Sequence, residues 1–476
     1  MSRHNRFFRA AVGLVLTVTL LATRAATAQE TEPLVVHEWG TFTALQDESG
    51  QALGGINIDD EPLPRFVHNL APRVLAPSRS RYPVFMKGAP PSHPYVTLRL
   101  ETPVMYFYRP GAIGRPSARS PLKVDVKVAL RGGWLTEFYP QAEVTAPGLR
   151  QKRFEFGPIT PSTVGTLEWK QLGVGTAGAG PATDAHVWTA PRKVDSTGIT
   201  AASGESERYL FYRGVGNFNA PLRARYSHEE KRLSIFASAG AVEGASLAID
   251  GLWLVHVREG GAAAFRTLPP GSISNDPDRV VSEGRLDFAE QDYQPDNLTL
   301  LRTTMHDHLK RAGLFDDEAA AMLATWQRAY FQSPGLRLFF LVPRPWTDRH
   351  LPLAISQSAE ITRVMVGRIE LVSAEQRAGL RKLAAMELSK LDWLHIASRS
   401  KHAPDFFAGR SDFGDLGVAI PPDYQAYLAL GRFRNALLVA EERRTRSTTL
   451  TKFIDQYNLS PFRVPDTQLP ARAPGT

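Results

Sequence analysis

The chain has 476 residues, a formal charge of +8, 43% hydrophobic and 22% charged residues, and no cysteine. This composition excludes a disordered tail and a small disulfide-stapled scaffold, and the length allows about three domains with cores that need no cross-links. Without cysteine there is no thiolate catalysis, Cys-ligated zinc, iron–sulfur cluster or covalent haem; no motif indicates a cofactor, and a metal would need His, carboxylate or carbonyl ligands.

Arg3, Arg6 and Arg9 precede an apolar run, Ala10 to Ala22, that is shorter than the ~20 residues needed to span a bilayer. With Ala26-Thr27-Ala28 as the small-residue cleavage pattern, residues 1–28 read as a signal peptide and the mature chain as periplasmic or extracellular. Four bases, Arg3, Arg6, Arg9 and Arg24, leave with the leader and halve the formal charge, which excludes a nucleic-acid partner. No later stretch reaches spanning length, so membrane embedding after cleavage is not expected.

From Leu34 to about Arg266 the periodicity is two. Leu122, Val124, Val126, Val128 and Leu130 alternate with Lys123, Asp125 and Lys127, one face buried and one wet. Further strands are expected at Leu34–Leu45, Val96–Tyr108, Arg208–Arg213, Leu222–Tyr226, Arg232–Ala237 and Leu252–Arg258, with hairpin turns at His228–Glu230 and Glu259–Gly261. Asp47–Pro64, Ala71–Pro94 and the Gly/Ala/Thr-rich Gly173–Asp184 read as loops.

From Asp296 the period becomes helical. Leu298, Leu301, Met305 and Leu309 form a stripe closed by Gly313; a second helix from Asp316 carries Met322, Trp326 and Tyr330, making an antiparallel hairpin. Strands follow at Gly335–Val342 and Arg363–Val372, then a helix opened by the capping box Ser373–Gln376, and helices at Asp423–Arg444 and Thr449–Tyr457. The expected fold is α+β: residues 29–290 a large antiparallel β-sandwich-like portion, 291–464 a mixed helical and strand region packed on it with the helical hairpin and C-terminal helices, and 465–476 a loose tail.

The segment His37-Glu38-Trp39-Gly40-Thr41 is the most unusual. Strand alternation sends His37 and Glu38 to opposite faces, so they cannot chelate together unless the strand bulges there. Glu38 falls on an apolar face and needs a partner, and the alternation in Tyr209–Gly214 offers Arg213 for a buried ion pair. Either that pair is structural, or Glu38 is a catalytic acid with His37, Arg213, His306 and His308 as neighbours. His306 and His308 fall inside a helix, where they diverge by about 200° and cannot share an ion; His308, beside the Leu301–Met305 stripe, reads as a hydrogen-bonded core or interface histidine. Arg344, Trp346 and Asp348 follow a buried strand and suit either a rigid polar turn or a ligand-binding loop, with Tyr212 a fourth ligand contact. Asn57, Asp59, Asp60 and Glu61 form an oxygen-rich loop without the spacing of a calcium site.

Five segments together, VVHEWGTFT (35–43), LETPVMYFY (100–108), YLFYRGVGNF (209–218), GLRLFFLVPRPWTD (335–348) and RVMVGRIELV (363–372), resemble a family of exported bacterial proteins with an HEWGTFT segment near the mature N-terminus. The resemblance covers most of the mature chain, implies export and one integrated architecture, and transfers no activity. The residues themselves admit three readings: an exported or envelope-associated protein that binds an envelope component, polysaccharide or small molecule; a hydrolase of an envelope or environmental polymer using Glu38, with or without a metal; or an assembly protein. A polar cleft containing His37 or Glu38 separates the second reading from the first.

Overall fold

The computed structural model describes residues 33–56, 63–70, 92–109, 121–149, 158–175, 180–242, 244, 246–249, 251–390, 401, 419–457 and 459. The leader, the oxygen-rich loop at 57–62 and the C-terminal tail lie outside the described residues.

Eleven strands carry the main sheet: β1 Leu34–Gln46, β2 Leu98–Tyr108, β3 Leu122–Arg131, β4 Gly133–Tyr139, β5 Val164–Val174, β6 Leu210–Gly216, β7 Leu252–Val257, β8 Ala263–Thr267, β9 Gly335–Val342, β10 Leu353–Ile355 and β11 Ala359–Leu371. Their order is β8-β7-β9-β11-β1-β2-β6-β4-β5-β3-β10, with four short strands off this path. The chain is thus α+β with a sheet-rich core. The alternation in β3 appears as read, Val124, Val126 and Val128 buried while Lys123 and Lys127 stay exposed.

The two regions drawn from the sequence share this sheet rather than stacking one on the other. The central strand β1 pairs in parallel with β11 along its whole length, from Leu34 opposite Ala359 to Gln46 opposite Leu371, and antiparallel with β2. Residues from Pro33 onward form one compact unit. A parallel pair in mid-sheet is covered on both faces, so any charge placed in it must be compensated inside the protein.

The faces are covered differently. The face of β1 that carries His37 and Trp39 is covered by the helical hairpin, formed by α1 (Asn297–Arg311) and α2 (Asp316–Thr325), which with Trp326 just beyond it packs Leu301, Met305 and Met322 against Trp39, Tyr106, Trp253 and Phe339. Gly313 closes α1 at φ +109, a left-handed conformation that glycine adopts without strain. Beyond α2 the helix widens into a π-helical turn, Gln327–Gln332, and Tyr330 stays in the stripe read from the sequence, stacked on Trp326 and buried in the same core as Met322. On the other face, Val36, Phe42 and Ala44 join a core shared with a three-stranded sheet, Leu222–Ser227, Arg232–Ala237 and Val280–Arg285.

Two segments depart from expectation. Arg344–His350 is the short helix α3 rather than a loop, its start favoured by Pro345 in the first turn, where a missing N–H costs nothing. The helix expected from Asp423 to Arg444 breaks, because Gly431 takes φ +81 between α5 (Pro422–Leu428) and α6 (Arg434–Thr445). These pack with α4 (Ala374–Ala385) and α7 (Thr448–Gln456) around Leu45, Trp134, Tyr427 and Phe453.

Candidate functional site

His37 and Glu38 point to opposite faces of β1. The pairing of β1 with β2 does slip, but between Trp39 and Thr41, one residue too late to turn either side chain. At that slip Gly40 lies against Pro103: a Cβ on Gly40 would come within 3.0 Å of Pro103 Cα, which explains the glycine of the HEWGTFT segment.

On the hairpin face, His37 Nδ1 lies 2.8 Å from Glu318 Oε2, while the Tyr108 hydroxyl donates to Glu318 Oε1 at 2.7 Å and the Phe315 N–H to Oε2 at 2.7 Å. Glu318 is fully buried and His37 nearly so, with Phe315 and Tyr108 rings against the imidazole. The capping glutamate of α2 therefore fixes the histidine and the helix start with one carboxylate.

Glu38 is also fully buried, but the ion pair expected with Arg213 is made by Arg363 instead, whose Nε donates to Glu38 Oε2 at 2.6 Å. Glu38 and Arg363 are register partners across the parallel β1–β11 pair, so their side chains emerge together on one face. In β6 it is Tyr212 that shares this face, its hydroxyl donating to Glu38 Oε1; Arg213 points away, toward Phe211 and the Thr102 hydroxyl. Burial disfavours the charged guanidinium of Arg363, but Glu38, Tyr212 and Asp348 outweigh it and raise its pKa. Burial, then the Glu38 charge, holds the Tyr212 phenol well above its usual range.

Arg363 also ties the second predicted segment to the first. Its Nη1 donates to Asp348 Oδ1 at 2.8 Å, and Asp348 Oδ2 accepts from Arg344 Nε at 3.3 Å. The chain Tyr212–Glu38–Arg363–Asp348–Arg344 runs from the core to two half-exposed residues. Trp346 is buried instead of offered to a ligand, packed on Phe42, Phe218 and His350.

His306 and His308 diverge, as the helix requires. His308 Nδ1 is 2.8 Å from the Thr304 carbonyl and its ring meets Trp253 edge-on, while His306 sits near Asp316. Neither reaches Glu38. Among the described residues no group of three or more His, Asp and Glu is placed to hold a metal ion.

A different polar cluster lies at the far end of the hairpin face. Arg337 on β9 opposes Glu370 on β11, with Nε 3.0 Å from Glu370 Oε1, and its η nitrogens donate to the carbonyls of Tyr330, Ser333 and Pro334 that close the π-helical turn. Arg368 donates from Nε to the same Glu370 Oε1 at 2.5 Å and lies over the Tyr330 ring. Beside them, Thr43 and Arg432 donate to Glu101 Oε1 at 2.6 and 3.2 Å. This cluster opens into a cavity of about 380 Å³ whose polar wall includes His256, Arg258, Arg368, Glu370, Glu375 and Arg432. Burial lowers the pKa of His256; the Glu375 charge opposes this, and Arg258 and Arg337 add to the lowering. Burial works against the Glu375 carboxylate, yet the Ser373 hydrogen bond and backbone contacts lower its pKa overall.

The sequence reading missed this cluster. The signal was present in its own terms: Arg337, Arg368 and Glu370 interrupt apolar strands as Glu38 does, and the same alternation places them on a covered face.

No family model and no curated protein matches the chain. Among solved structures, the Fcho1 mu homology domain of Danio rerio with a bound Eps15 peptide aligns over 72% of this chain and 96% of its own, at 9% identity and a TM-score of 0.25, which carries no argument about fold or function.

Proposed function

We propose that the protein is an exported, envelope-associated binding protein that holds a small polar ligand in the cavity over Arg368. One observation carries this reading: Nη1 of Arg368, a wholly buried guanidinium in the cavity wall, has no acceptor among the described residues. A buried donor on a charged group left without a partner is costly, and a ligand acceptor would satisfy it. The surrounding charges of both signs suit hydrogen bonding to a polar molecule.

The hydrolase reading is the less supported of the two: Glu38 is fully buried against Arg363 and Tyr212 and Glu318 against His37 and Tyr108, and neither carboxylate lines the cavity over Arg368.

Calorimetric screening of the mature protein against envelope sugars, amino acids and small polyols tests the proposal. A bound ligand should lose about tenfold in affinity in Arg258→Ala and bind no longer in Ala429→Trp, where an exposed cavity-wall residue becomes bulky. Polymer turnover abolished by Glu38→Gln in a folded protein would instead establish the hydrolase. Mass analysis of the secreted chain tests export, with cleavage expected before Gln29.

A further inference from the structure

Strand β9 stops short of its neighbour. Its last residue, Val342, lies opposite Met365, whereas β11 starts at Ala359, so residues 359–364 pair with β1 on one edge and with no strand on the other among the described residues. A second cavity, of about 230 Å³, opens at this step, lined by Ala312, Leu341, Val342 and Arg344 and by four consecutive residues of β11, Thr362 to Met365. Consecutive strand residues send their side chains to opposite faces, and here Val364 belongs to the core under the hairpin and Met365 to the core on the other face. A space that touches both lies against the edge of the strand, at the level of its backbone.

Three hydrogen bonds give the direction of the backbone groups. In an extended strand the N–H and C=O of one residue point to one edge and those of the next residue to the other. The Ser358 carbonyl accepts from the Leu34 N–H, toward β1, whereas the Ile361 carbonyl accepts from Arg344 Nη1 at 2.7 Å, on the side of β9. The Leu341 N–H donates to the Gly251 carbonyl, away from β11, so Val342 is the residue that bonds Met365. Ile361 and Arg363 therefore direct their backbone groups into the gap. Arg344 guards the Ile361 carbonyl, as charged side chains guard open sheet edges, but a guanidinium offers no acceptor to an N–H. The N–H groups of Ile361 and Arg363 have no backbone acceptor off the strand ladder among the described residues.

We propose that this gap is a docking edge for an extended, uncharged polypeptide segment of a partner, which lies antiparallel to β11 in line with β9 and bonds the N–H groups of Ile361 and Arg363. An extended polypeptide is the matching chemistry because donors on alternate residues, about 7 Å apart, meet their spacing in a second strand. Its side chains alternate between a rim of Leu341 and Val364 on one face and of Val342 and Met365 on the other, which suits β-branched residues, while Arg344 disfavours a cationic segment. On docking, the Arg344 guanidinium leaves the Ile361 carbonyl to the incoming strand and keeps its bond to Asp348. The edge is separate from the cavity over Arg368 and does not depend on it.

The test is amide hydrogen exchange on the full chain, read residue by residue by NMR. In the free chain Ile361 and Arg363 should exchange about tenfold faster than Thr362 and Val364, whose N–H groups face β1. Acetyl-Thr-Val-Thr-Val-Thr-amide at millimolar concentration should slow both to the rate of their neighbours, and the same peptide methylated on every backbone nitrogen should leave them unchanged. Arg344→Ala, at an exposed position, should tighten peptide binding about tenfold by freeing the Ile361 carbonyl. Ile361→Pro, which deletes a donor where an edge strand tolerates proline, should abolish binding, and Ala312→Trp, an exposed residue on the rim, should block it in a chain whose core is untouched. Ile361 and Arg363 already as protected as their neighbours in the free chain, equal binding of the methylated peptide, binding indifferent to Ala312→Trp, or no added protection from the peptide would overturn the proposal. Protection that rises with protein concentration alone would overturn it in favour of a second copy.

Discussion

Strand β11 carries two buried arginines five positions apart, and its two faces treat them in different ways. On the face shared with the three-stranded sheet, the sandwich face, Arg363 meets a carboxylate of its own, Glu38, and a second, Asp348, that leads outward. On the hairpin face one carboxylate, Glu370, serves both Arg337 and Arg368, and the deficit is met only in part, by backbone carbonyls and the Tyr330 ring, leaving Nη1 of Arg368 without an acceptor among the described residues. A buried charge is therefore tolerated either by pairing it singly or by pooling donors around one acceptor, and the pooled arrangement depends more on its single anion.

The largest expected effect follows from that dependence. Glu370→Ala strands two guanidiniums and should destabilise the fold by about 5 kcal/mol in urea unfolding, whereas Arg363→Ala strands one carboxylate that keeps its tyrosine and should cost about 3–4 kcal/mol. The reverse order would break the comparison. Replacing the single pair as a unit, Glu38→Leu with Arg363→Met, should return stability to within about 1 kcal/mol of the starting protein, because the desolvation of both charges disappears with them.

Acid sharpens the comparison next. His350, on the sandwich face, lies against Phe218 and accepts a hydrogen bond from Arg349. Burial first, then Arg349 and Arg131, push its pKa down from 6.5 to about 4. The unfolded chain takes up a proton that the folded chain refuses, so this contribution is intact above pH 6.5 and is lost as the pH falls toward 4, about 3 kcal/mol in all. Urea midpoints measured across that range should flatten in His350→Phe. His256, depressed in the same direction beside the cavity over Arg368, should account for a smaller share, seen as partial flattening in His256→Gln. The smallest effect is expected away from both faces: Lys310→Ala removes a surface pair with Asp316 and should leave the midpoint unchanged.

How much of this was legible differs by residue. The alternation of β1 and the opposition of His37 and Glu38 follow from period two, and so does the need of Glu38 for a partner. The partner does not: Arg363 is 325 positions away, and local pattern cannot choose between it and Arg213 when both lie in apolar strands. Only the parallel register of β1 with β11 selects Arg363, and sequence periodicity carries no register between distant strands. The helix at Arg344–His350 was hidden because seven residues are too few to show a period. The cavity over Arg368 is built from turns and strand ends near residues 256–259, 334–335, 368–376 and 429–433, which only the folded chain brings together.

The pairing of the first long strand with one more than three hundred residues later also sets a timetable. Until Leu371 is free of whatever delivers the chain, β1 lacks the neighbour that covers one whole edge, and its apolar faces have no complete sheet to join. Closure of the sheet is therefore deferred until 371 of the 476 residues are free, whatever the route by which the chain is delivered.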